Sequence, residues 1–108
     1  MNNIDKMFIQ SDEYDLFIKH QYHDLLLEHE NPHYFIENDN VILLSKIILC
    51  DQVSRHIYRN NIDKIKIFDK NALRYLHDNQ IFDKILNFQP TERILLCLPY
   101  SHANDYHK

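Results

Sequence analysis

None of the 108 residues is glycine, where average usage would give roughly 7%. That absence removes whole classes of structure. A glycine-rich phosphate loop is excluded, because only glycine lets backbone amides wrap a phosphate so closely. A fold built on tight hairpins is disfavoured too, since the preferred two-residue turns need positive φ. Left-handed positions then fall to asparagine, whose short polar side chain tolerates them best. Asn31, Asn60, Asn61 and Asn79 stand where such turns are expected. Helices joined by open turns remain the natural solution.

A chain of this length makes one domain with a modest core. Its 44% hydrophobic and 26% charged residues are the balance of a globular protein, not a disordered one. The formal net charge is −4, with 12 basic residues scattered along the chain. No basic stripe forms, so nucleic acid is not an expected partner. No secretory leader opens the chain, and no apolar run approaches the ~20 residues of a membrane span. A cytoplasmic protein is expected, with no membrane partner. Cys50 and Cys97 lie in apolar runs and read as buried free thiols of a reducing compartment. The abundance of Ile, Asn, Asp, Lys and Tyr suits an AT-rich genome such as a viral one, in which case the host cytoplasm is the location.

Hydrophobic spacing predicts a first helix over 12–30, capped by Ser11, with Tyr14, Phe17, Ile18, Tyr22 and Leu25 on one face. Pro32 interrupts it. Asp39 or Asn40 can cap a second helix, Val41 to Gln52, which is apolar on most sides and therefore central. Residues 54 to 60 read as a polar connection anchored by Ile57 and Tyr58. A third helix is predicted over 63–78, with Ile65, Phe68, Ala72, Leu73 and Leu76 inward and Asn79 as its stop. The pattern weakens over 81–88. Pro90 and Thr91 then open a last helix that Pro99 terminates. The expectation is all-α: five or six antiparallel-packed helices in one domain, in the style of an α-solenoid.

The segment Leu49-Cys50-Asp51-Gln52-Val53-Ser54-Arg55-His56-Ile57-Tyr58-Arg59 resembles a signature of the DUF924 family. There an apolar helix runs into Leu-Asp-Gln-Phe-Pro-Arg-Asn-(Ile/Leu)-(Phe/Tyr)-Arg. Asp51, Gln52, Arg55, Ile57, Tyr58 and Arg59 match it. A second block, Glu92-Arg93 followed by Leu96-Cys97-Leu98-Pro99-Tyr100-Ser101-His102, is similar to the family's Glu-Arg…Leu-Tyr-(Leu/Met)-Pro-(Phe/Leu)-x-His. Phe68-Asp69 and Tyr14-Asp15 fall in the right order. The resemblance implies a TPR-like helical fold; the family's own activity is unassigned. Val53 and Ser54 replace its Phe-Pro, and His56 replaces its Asn. Its further helices, with an Arg- and His-rich motif, have no counterpart after His102. The chain is therefore expected to be a short, divergent member that keeps the scaffold without that part.

The best polar constellation is Asp51, Arg55 and Arg59, with Glu92 and His102 as neighbours. Asp51 and Arg55 share a helical face at four-residue spacing. Two guanidinium forks suit a phosphate or carboxylate, and a histidine beside them can act as acid or base. The structural alternative is an ion network that fastens a helix end to its neighbour. His20 and His23 have metal-ligand spacing, with His29 and His33 following, but no matching cluster exists elsewhere, so solvent-facing histidines and no metal are expected. No cofactor motif is present. The leading expectation is a helical binding module, self-associating or bound to a protein through Ile94, Leu95, Leu98 and Tyr100 on a flank left uncovered. The alternative is a small-anion receptor or enzyme centred on Asp51, Arg55, Arg59 and His102.

Overall fold

Asp39 begins the central helix: its carboxylate accepts from the Val41 and Ile42 amides at 2.9 and 3.1 Å, as an N-cap should. The computed structural model describes residues 12–105; Ser11 and its predicted cap lie outside them. Among the described residues every regular element is helical. Helix α1 spans Asp12–Leu27 and α2 spans Asn40–Ile48. A π-helical turn, Leu49–Val53, leads directly into α3, Ser54–Ile57. Helix α4 covers Ile62–Asp78, a 3-10 segment covers Ile81–Asn87, and α5 covers Pro90–Asp105. The predicted all-α fold is what forms.

The core is built where α2, the π turn and α4 meet. Leu43, Ile47, Cys50, Phe68, Ala72 and Leu76 have no accessible surface there. Leu26 of α1 and Leu96 of α5 close it from either side. Burial holds the Cys50 thiol up at about 12, so it is an inert apolar group. Cys97 differs from expectation: it is exposed, because the helix turns that position outward while Leu95 and Leu96 point in.

Several boundaries moved for identifiable reasons. Helix α1 stops at Leu27, and Asn71 of α4 takes up the carbonyls of His29 and Glu30 at 2.8 and 2.9 Å. On α1, Ile18 and Leu26 are buried, whereas Phe17 and Leu25 of the predicted face are exposed. Residues 54–57 are not a connection but helix, and Ser54 and His56 are buried. The last helix does not end at Pro99 but carries that proline inside. Pro99 is fully buried, so packing outweighs the missing N–H. At the start of α5 the Glu92 carboxylate accepts from the Gln89 amide (2.7 Å), one half of a capping box.

The asparagine expectation fails in a specific way. Among the described residues the one with positive φ is Gln80, at 51°; Asn61 and Asn79 have φ of −123° and −99°. Asn79 is engaged instead as a buried bracket. Its amide donates to the Phe35 and Tyr75 carbonyls (2.7 and 2.8 Å) and its oxygen accepts from the Glu37 amide (2.8 Å). The left-handed turn therefore falls one residue later. His29 also departs from expectation: it is buried, with Nδ1 2.9 Å from the Tyr75 hydroxyl. Burial, and secondarily Lys46, pull its pKa below the ordinary 6.5.

Two outcomes follow. Gln80→Gly should raise stability by up to ~1 kcal/mol, measured by urea unfolding, since a left-handed non-glycine residue costs about that much. Because His29 is harder to protonate folded than unfolded, its contribution is intact above pH 6.5 and declines as pH falls from there toward its folded pKa. The urea midpoint should drop between pH 7.5 and 5, and drop less in His29→Gln.

Candidate functional site

The π turn is the local irregularity from which the polar centre grows. The Ser54 N–H reaches back five residues to the Leu49 carbonyl, one more than an α-helix allows. Carbonyls in a widened turn need other donors, and two side chains supply them. The Ser54 hydroxyl donates to the Cys50 carbonyl at 2.6 Å, and Arg55 Nη1 donates to the Asp51 carbonyl at 2.7 Å. Leu49 through Ser54 are all buried, an arrangement possible only for a turn surrounded by other helices. Asp51 is thereby driven into the interior, at 1% exposure.

Arg55 carries the compensating charge. Its guanidinium donates to both oxygens of Asp69 on α4, at 2.5 and 2.8 Å, and to Asp51 Oδ1 at 3.2 Å. Gln52 donates to the other Asp51 oxygen at 2.6 Å. From α5, His102 Nδ1 lies 2.8 Å from Asp51 Oδ1. A carboxylate facing a guanidinium accepts, so Nδ1 carries the hydrogen and Nε2 is the imidazole's other face. The centre thus ties the π turn, α3, α4 and α5 together in one set of charge-assisted bonds.

A second network lies one turn further on. Asp15 of α1 accepts from Arg59 Nε and Nη2 at 2.6 and 2.8 Å, and from His56 Nδ1 at 2.8 Å. The Arg59 bonds, with help from His56 and against burial, hold the Asp15 carboxyl below its ordinary 3.8. Tyr14 packs edge-on against His56, with ring centroids 5.5 Å apart. A concavity of about 510 Å³ opens beside this network, lined by Asp15, Leu16, Lys19, His56, Ile57, Tyr58, Arg59, Asn60 and Asn61.

The predicted constellation is therefore split. Asp51, Arg55 and His102 converge. Arg59 does not join them, because the turn after α3 carries it toward α1, and Glu92 is occupied in capping α5. Asp69 and Asp15 were missed as site residues. Both stand in segments already matched to the DUF924 pattern, but no spacing rule links residues so distant in sequence. Among the described residues, the ligating atoms of Asp51, Asp69 and His102 lie within 4.8 Å of one another. Arg55 already donates to both of these carboxylates, so a metal ion would have to displace a bidentate guanidinium. His20 and His23 line a shallow groove with Lys19 and Asp24 instead.

With this geometry established, comparison with known proteins is direct. A family model described as "Bacterial protein of unknown function (DUF924)" matches residues 1–108. The chain belongs to the DUF924 family. The blocks that carry the DUF924 resemblance, Asp51 to Arg59 and Glu92 to His102, are the ones that meet through the Asp51–His102 bond. No curated protein and no solved structure is significantly similar to the chain.

Removing one partner from a buried ion pair leaves the others uncompensated, which costs about 3–5 kcal/mol. Arg55→Ala should lower the unfolding free energy by that amount in urea titration followed by circular dichroism. Glu92→Ala, which loses only a cap, should cost about 1 kcal/mol.

Proposed function

We propose that this DUF924 protein is a small binding module of the cytoplasm, TPR-like in its helical pairing, that associates through exposed apolar side chains, first of all with a second copy of itself. The observation that carries this reading lies at the 3-10 segment and the helix after it. Phe82, Leu86 and Ile94 are 63%, 79% and 61% exposed. Phe82 stacks on Tyr100, with ring centroids 5.5 Å apart, beside a groove of about 310 Å³ that also includes Ile81 and His77. Large apolar side chains exposed at a protein surface are candidates for association, and an isologous pair covers them on both copies at once.

The residues of the interface differ from those read in the sequence. Leu95 is buried in the core, while Leu98 and Tyr100 are half-buried, so Ile94 alone of the four is fully available. Phe82 and Leu86 take their place. Free cysteines, one of them exposed, support a reducing compartment. No described helix is long and apolar enough to cross a membrane.

An anion receptor or enzyme centred on Asp51, Arg55, Arg59 and His102 has weaker support. Arg55 is already engaged by carboxylates on two elements, and Arg59 belongs to a different network. The centre serves better as a fastening.

Light scattering on the purified chain at micromolar concentration should give twice the monomer mass. The double variant Phe82→Asp, Leu86→Lys should return it to monomer with unchanged helicity. A monomeric wild type would overturn the reading.

A further inference from the structure

The concavity between α1 and the turn that follows α3 has a chemistry that self-association does not use. The whole chain carries a formal charge of −4, yet this lining has the opposite sign. Among the described residues of the lining, Lys19 and Arg59 contribute two positive charges, His56 an imidazole, and Asp15 the one carboxylate. Asp15 is held by Arg59 through two bonds and by His56 through a third, and Arg59 keeps it ionised. It is an internal counter-ion that fixes the Arg59 guanidinium and the His56 ring in place. Lys19 is exposed on the same wall, so the excess positive charge faces the opening.

The remaining lining decides what kind of anion fits. Asn60 and Asn61 provide side-chain amides, which donate well to oxyanion oxygens. Leu16, Ile57 and Tyr58 add apolar side chains to the lining. Tyr58 stacks on Phe68 at 5.8 Å with the rings 13° from parallel. At about 510 Å³ the concavity is open to solvent and has room for more than a bare inorganic ion. Positive charge and amides set among the apolar side chains of Leu16, Ile57 and Tyr58 are complementary to an oxyanion joined to an apolar body.

We infer that this concavity binds a small organic oxyanion, a phosphate or carboxylate carrying an aromatic or aliphatic group, through Lys19 and the Asn60–Asn61 turn beside the Asp15–Arg59–His56 network. Lys19 is the residue that binding requires and folding does not. The site is distinct from the apolar surface around Phe82, so binding and self-association are separable.

Isothermal titration of the full chain with phenyl phosphate, benzoate and inorganic phosphate tests this. Both organic anions should bind, and phenyl phosphate more tightly than inorganic phosphate. Lys19→Glu should weaken phenyl phosphate by about tenfold or more, as expected for loss of one charged hydrogen bond. Lys70→Glu, an exposed lysine of α4 outside the concavity, should bind as wild type, which separates the site from a general charge effect. Far-UV circular dichroism of both variants should match wild type. Absence of binding by all three anions overturns the inference. So does equal binding by wild type and Lys19→Glu, or equal loss in Lys70→Glu. Inorganic phosphate binding as tightly as phenyl phosphate overturns the role of the apolar side chains.

Discussion

The Arg55 guanidinium, clamped between Asp69 and Asp51, is the contact on which the rest of the molecule depends. Two buried carboxylates without it would face a desolvation cost of several kcal/mol each. With it, they become fixed acceptors at known positions, and each fixes something else. Asp69 locks α4 to α3. Asp51 orients His102, and through it the final helix. A well-packed apolar replacement could equal such a network in stability, but it would hold the helices in place less specifically. The arginine sets which helix faces meet.

The second constraint is the lack of glycine. The chain makes its turns without it, and polar side chains complete the backbone bonds that turns, helix ends and the widened π turn leave open. Ser54 and Arg55 do so at the centre, and Asn71 and Asn79 at the ends of α1 and α4. Polar residues that look like surface in the sequence are thus spent inside. Gln80 alone among the described residues accepts the left-handed conformation.

These two features separate scaffold from surface. The motif blocks that define the DUF924 pattern meet at the Asp51–Arg55–His102 centre and hold the helices together. The two surfaces proposed for binding are separate from it: an apolar one around Phe82, and a concave, locally basic one around Lys19. Neither uses the centre directly, yet both lie on helices that it holds, α3 through Arg55 and α5 through His102.

Much of the fold was legible from local rules. The apolar run from Val41 with its cap at Asp39, and the spacing of Ile65 to Leu76, specified helices, because those signals act within a few residues. Asp51, Arg55 and His102 were also recoverable, the first two by spacing and the last by the family pattern. What the sequence could not decide was pairing across the chain. Whether Arg59 turned to Asp51 or to Asp15, whether Leu95 faced in or out, and whether Pro99 ended its helix all rested on which helices packed together. Local spacing determines which side chains share a face. Only the tertiary structure determines what that face meets, because the energy that decides it comes from burial and from charges separated by more than forty residues.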